Sequence, residues 1–205
     1  IYNSAEMTLE QVLDVMRTME ADGKITVRLH TGDPCLYGAI REQMDALDAD
    51  GIPYDDTPGV SSFCGAAAAL NAEYTLPTVS QTVIITRQSG RTLVPEKESI
   101  RSLAAHRATM CLYLSTRLTE ELQKELMEGG YPGSTPVAVV FKASWPDERI
   151  YHCTVDTLHK TVTENDLTRT SLIIVGDCMG EKYAKSFLYD PSYERPFHEA
   201  AKKCD

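Results

Sequence analysis

The chain has 205 residues, 42% of them hydrophobic, and its 30 acidic against 20 basic side chains give a formal net charge of −10. That length suits one large domain or two small ones, and the acidity excludes nonspecific nucleic-acid binding, which needs basic surface to displace counterions. Six scattered cysteines without a C-x-x-C pair read as reduced cytosolic thiols, and no apolar run approaches the ~18 residues of a membrane span or forms a signal-peptide core.

Thr8 to Asp22 reads as a helix, because Leu9, Val12, Leu13, Met16 and Met19 share one face and Thr8 with Gln11 fits a capping box. Lys24 to Leu29 is predicted as a strand, Ala39 to Ala49 as a helix closed by Gly51, and Ile52 to Thr57 as a short extended piece ending in Pro58-Gly59. Ser61 to Asn71 is an alanine-rich helix with a serine cap. This alternation predicts a parallel sheet.

Beyond Pro77 the strand candidates come closer together: Thr82 to Thr86, Met110 to Leu114, Val137 to Phe141, Ile150 to Cys153 and Leu172 to Val175. Helices fit Glu96 to Ala105, Thr119 to Glu128 (closed by Gly129-Gly130) and Val155 to Glu164. The Trp-Pro-Asp turn before Ile150 predicts an antiparallel hairpin, and His152-Cys153 reads as an ordinary strand position rather than a metal site. The chain therefore divides into an N-terminal α/β domain (1–79), a second α/β domain with a mixed sheet (80–179) and an irregular tail (180–205).

Three loops follow predicted strands: HTGDPCLYG at 30–38, PGVSS at 58–62 and FKASWPDE at 141–148. In open α/β sheets ligands sit beyond the carboxyl ends of strands, where helix N-termini offer N–H groups. Gly32 permits close backbone approach. Asp33 suits either a ligand amine or ribose, or a helix cap; Ser61 and Ser62 are capping residues or ligand contacts. Arg87 and Arg91 in TRQSGRTLVPE are either solvated loop residues or guanidinium forks for carboxylates. Trp145 is a packing residue or a stacking platform, and His30 an acid–base group or a loop residue bonded to backbone. The P-loop, the G-x-G-x-x-G fingerprint and the G-x-S-x-G elbow are absent from the sequence.

Taken together, these loops resemble the tetrapyrrole methylase family, the S-adenosylmethionine-dependent enzymes of corrin and sirohaem synthesis. HTGDPCLYG is similar to that family's G-D-P loop, PGVSS to its second cofactor loop and FKASWPDE to the strand-loop of its second domain. TRQSGRTLVPE and the tail LYDPSYERPF look like a corrin-pathway branch of it. The resemblance implies the tetrapyrrole methylase fold, two α/β domains with a cofactor cleft between them. It implies that Thr31, Gly32 and Asp33 line S-adenosylmethionine with Leu36 packing nearby, that Ser61 and Ser62 close one side, and that Leu114 and Ala143 contribute from the second domain. Relatives often carry methionine where this chain has Leu114.

The activity so implied is methyl transfer to a carbon of a small-molecule tetrapyrrole, releasing S-adenosylhomocysteine, in a cytoplasmic homodimer without nucleic acid, membrane or metal. The sulfonium methyl is already activated, so alignment and water exclusion matter more than a nucleophilic side chain, and no catalytic base is assigned. The macrocycle's carboxylates give Arg87 and Arg91 a purpose on an acidic chain. Alternatives are a protein-modifying methyltransferase of the same fold, such as diphthine synthase, or a non-catalytic cofactor-binding fragment. The family opens with a strand and a Gly/Pro-rich loop that this sequence lacks, so the expectation is a fragment with weak activity.

Overall fold

The structure is a computed structural model describing residues 1–180 and 183–186. The LYDPSYERPF segment and most of the expected tail lie outside the described residues. The chain separates into two compact units, Ile1–Cys64 and Gly65–Asp205. The division falls inside a helix, whereas the change in sequence character used to place a boundary at residue 79 coincides with the approach to the first strand.

In the first unit, helix α1 (Leu9–Ala21) begins as its sequence requires. Gln11 N–H donates to Thr8 Oγ1 at 3.3 Å while Thr8 N–H donates to Gln11 Oε1 at 2.9 Å. Its Val12, Leu13 and Met16 bury against Leu47 of α2 (Arg41–Asp50), with Met7, Ala46 and Ile52 partly buried around them. Burying each such side chain contributes roughly 1.5–3 kcal/mol. Helix α2 starts two residues later than the periodicity suggests, because Tyr37 (φ 58) and Ala39 (φ 50) adopt left-handed backbone that a helix cannot accommodate. Gly51, also left-handed, closes it. Helix α3 (Ser62–Leu70) straddles the division between units.

The parallel sheet expected here does not form: neither Lys24–Leu29 nor Ile52–Thr57 is a strand. Both segments line one groove of about 690 Å³, together with Met16, Met44 and Leu47. No strand pairing joins the two segments among the described residues, and β-propensity without a paired neighbour does not make a strand. Ile25, Val27 and Leu29 are 93%, 73% and 87% exposed.

The second unit holds the mixed sheet the sequence predicts, in the order β1-β2-β5-β3-β4. Strands β1 (Val83–Arg87) and β2 (Thr109–Tyr113) pair in parallel, with Arg87 opposite Tyr113. Strand β5 (Ser171–Val175) runs antiparallel to both β2 and β3 (Pro136–Phe141), and β3 forms the expected hairpin with β4 (Arg149–Thr154). The central strands are largely buried and the edge strands half-buried, as coverage on both faces demands. Alternate residues Met110 and Leu112, Val137 and Val139, and Ile173 and Val175 face one core. Helices α4 (Ile100–Ala104), α5 (Thr119–Gly129) and α6 (Leu158–Glu164) cover it with Ile100, Leu122, Leu126, Leu158 and Val162. Two expected helices are shorter than their sequence pattern. Extended backbone at Ser99 separates a 3₁₀ turn at Glu96–Glu98 from α4, and a 3₁₀ turn at Val155–Thr157 precedes α6.

Candidate functional site

The HTGDP and PGVSS loops of the first unit meet backbone to backbone. A Cβ added at Gly59 would lie 2.1 Å from the Gly32 carbonyl oxygen, and one at Gly32 would lie 3.5 Å from Ser61 Cα. Gly32 itself has φ +74, a conformation available to glycine at little steric cost. Asp33 bridges the two loops: Oδ1 accepts from Cys35 N–H at 2.8 Å and Oδ2 from Gly59 N–H at 2.9 Å. The Cys35 thiol, followed by the Cys35 and Gly59 amides, holds the Asp33 carboxyl below its ordinary range, because each donor favours the charged form. The same contact with Asp33 raises the Cys35 thiol. Asp33 does not cap α2, whose cap position is Ile40.

Five of the expected cofactor residues thus gather in this unit, Thr31, Gly32, Asp33, Ser61 and Ser62, with Leu36 half-buried in the turn after Asp33. Ser61 is buried; Thr31, Gly32 and Ser62 are exposed. His30 lines the groove beside them.

In the second unit, β1, β2 and β3 all point the same way, since β5 is antiparallel to both of its neighbours. Arg87, Leu114 and Ala143, which close or follow these strands, therefore come to one end of the sheet. Leu114 is 70% exposed with φ 53. Ala143 sits between left-handed Lys142 (φ 49) and Ser144 (φ 68), its Cβ 3.8 Å from a Cβ built on Gly65. Lys142 Nζ lies 5.3 Å from the Trp145 ring centroid and 5.1 Å from that of Phe141, and pairs with Asp147 at 2.5 Å. Trp145 remains 53% exposed, so it is clamped at its face by a cation rather than packed into a core.

The two arginines are placed differently. The Arg87 guanidinium donates to the carbonyls of Gln88, Thr92 and Leu93 at 3.4, 3.0 and 3.3 Å. Arg91 is exposed, with no hydrogen bond or ion pair among the described residues. Sequence reasoning missed the anchors beneath them. Buried Ser115 accepts the Gln88 N–H at 2.8 Å and donates to the Tyr113 carbonyl at 2.6 Å, and Gln88 Nε2 donates to Glu125 at 2.9 Å. Both are small or neutral polar residues whose only sequence signal is their place just after a strand.

The tetrapyrrole (corrin/porphyrin) methylases, as a family, match residues 1–159, and the chain belongs to that family. A cobalt-precorrin-4 C(11)-methyltransferase of Methanocaldococcus jannaschii is 50% identical over 204 residues, covering 99% of this chain and 79% of the relative. A precorrin-4 C(11)-methyltransferase of Mycobacterium tuberculosis is 42% identical over 191 residues, covering 92% of this chain and 76% of its own. Among solved structures, a cobalt precorrin-4 methyltransferase, described as a cobalamin biosynthetic enzyme, matches with a TM-score of 0.85 at 43% identity, over 88% of this chain and 75% of that one.

Proposed function

We propose that this chain is an S-adenosylmethionine-dependent methyltransferase of cobalamin biosynthesis that methylates C-11 of precorrin-4 or cobalt-precorrin-4. The observation that carries the reading is the likeness to C(11)-methyltransferases along nearly the whole chain, the loops at 30–38, 58–62 and 141–148 included. The donor set suits the methyl donor. Exposed Thr31 and Ser62, buried Ser61 and the backbone at Gly32 offer hydroxyls and amides for a ribose and an amino-acid moiety. The nearby Asp33 carboxylate is electrostatically compatible with a sulfonium cation. Bound there, the donor would supply an electrophilic methyl group, which passes to the macrocycle carbon as S-adenosylhomocysteine leaves.

What these residues contribute is placement. Gly32 and Gly59 keep the loops close enough that no side chain intrudes between them, and Asp33 fixes their separation. Leu114 and Ala143 add apolar surface at the sheet end. Such positioning of two reactants accounts for much of the rate in group transfer. A cytoplasmic location belongs to the same reading, supported by the biosynthetic role of the relatives, and the homodimer expected from the resemblance is part of the proposal; among the described residues no helix is long and apolar enough to cross a membrane. The test is methyl transfer from labelled S-adenosylmethionine to precorrin-4 and to cobalt-precorrin-4, assayed in parallel. A product one methyl group heavier from either is expected, and the preferred macrocycle identifies the cobalt requirement. Tight S-adenosylhomocysteine binding with no transfer to either substrate would overturn the reading.

A further inference from the structure

We infer that Arg91 is the arginine of this loop that takes a substrate carboxylate, and that Arg87 is a positioning residue that builds the loop presenting it. The inference rests on the proposed tetrapyrrole substrate. Residues 88–94 leave the end of β1 and double back on themselves. The first of them is fixed in the protein interior: Gln88 is 4% exposed, tied by its N–H to Ser115 and by its side chain to Glu125. Arg87 then draws the far side of the loop back to the strand end, Nη1 reaching the Thr92 carbonyl and Nη2 that of Leu93. Val94 N–H donates to Ser89 Oγ at 3.3 Å, closing the base a second time. A Cβ on Gly90 would lie 3.3 Å from Leu118 Cδ1, so the loop's inner side rests against that side chain.

Three of the five Arg87 N–H groups are turned inward to backbone carbonyls, so this side chain is committed to its own loop. Arg91, at the apex, is exposed, and its guanidinium has no hydrogen bond or ion pair among the described residues. The loop stands at the sheet end where β1, β2 and β3 all terminate, the same end that carries Leu114 and Ala143. An arginine there meets an anion without help from the net charge of the chain, which opposes it.

The distinction is testable because lysine can replace a charge but not a planar fork. Uroporphyrin III serves as a carboxylate-rich probe, titrated by fluorescence quenching against the full chain, with S-adenosylhomocysteine affinity followed by calorimetry. Arg91→Ala is expected to weaken uroporphyrin binding about tenfold or more, and Arg91→Lys to restore most of it. Arg87→Ala and Arg87→Lys should weaken binding equally, and neither should add to the loss in an Arg91→Ala background, since Arg87 acts through Arg91. Amide exchange at Val94, whose N–H is bonded to Ser89 Oγ, should accelerate in both Arg87 variants, with S-adenosylhomocysteine affinity unchanged in all. Wild-type binding by Arg87→Lys, additive losses in the double variant, or unaltered amide exchange would overturn the positioning role. An Arg91→Ala variant that binds uroporphyrin normally would overturn the contact. A chain that binds S-adenosylhomocysteine but neither uroporphyrin nor a precorrin would reject the substrate reading and Arg91's part in it, while amide exchange would still decide the part of Arg87.

Discussion

Substituting Gly59 by alanine should separate the two loops proposed to hold the methyl donor. The added Cβ would sit 2.1 Å from the Gly32 carbonyl oxygen and 3.0 Å from its carbon, both backbone atoms that no rotamer change can move aside. Ordinary contact begins near 3.4 Å, so relief requires a displacement of 3.4 − 2.1 = 1.3 Å. The same displacement carries the Gly59 N–H away from Asp33 Oδ2, stretching a 2.9 Å bond to about 4 Å, where it no longer counts as one. Misplacement of about 1 Å in a positioned site weakens function by up to ~10²-fold. The expected result is therefore a loss of tens-fold in S-adenosylhomocysteine affinity by calorimetry, in a protein whose melting transition survives because Gly59 lies outside the α1–α2 cluster and the core of the mixed sheet. Gly51→Ala provides the control. It imposes left-handed strain of about 1–2 kcal/mol at a helix end with nothing within 4 Å, and should lower stability without touching affinity. A folded Gly59→Ala variant with wild-type affinity would refute the assignment of these loops.

Ser115→Ala leaves the buried Gln88 N–H without its acceptor, which should lower stability by about 1–3 kcal/mol; a thermal melt within ~0.5 kcal/mol of wild type would show that the staple is dispensable. The depressed Asp33 carboxyl contributes stability that is present above the unfolded carboxylate pKa and is lost as pH falls through the lower folded value. The Gly59 amide resonance should accordingly hold its position down to about pH 4 and shift only below it. Cys35, though exposed, should alkylate slowly at pH 8 and faster in Asp33→Asn, because removing the carboxylate lets the thiol ionise more readily; equal rates would deny the contact. Leu126→Ala, at the centre of the second unit's core, should lower stability by roughly 2–5 kcal/mol by chemical denaturation.

The sequence was most readable where a signal is local. The Thr8–Gln11 box, the apolar face of α1 and the Trp-Pro-Asp hairpin each depend on residues a few positions apart, and each stands as expected. The five strands of the mixed sheet were legible because β2, β3 and β5 are runs of buried apolar residues bounded by polar turns. Lys24–Leu29 has the same β-branched character, but a strand exists only through its neighbours, and pairing is not written in the segment itself. In the site, Gly32 and Asp33 were singled out from the loop they share. The role of Asp33 as a bridge to Gly59 was hidden because its partner lies 26 residues away. The two arginines illustrate the same limit. Residue type suggests what a guanidinium can bind, but only the path of the backbone decides that Arg87 turns inward and Arg91 outward.

The strand order also governs how the sheet comes together during synthesis. The last strand in the chain, β5, occupies the middle of the sheet, between β2 and β3. Until it emerges, the β1–β2 pair and the β3–β4 hairpin have no ladder in common, and Met110 must await a partner 175 − 110 = 65 residues downstream. After Thr154 completes β4, a further 175 − 154 = 21 residues must be added before β5 is whole, a delay of about 1–4 s at ~5–20 residues per second. For that interval the nascent chain presents two apolar strand edges, Met110–Leu112 and Val137–Val140, that only β5 can join into one sheet.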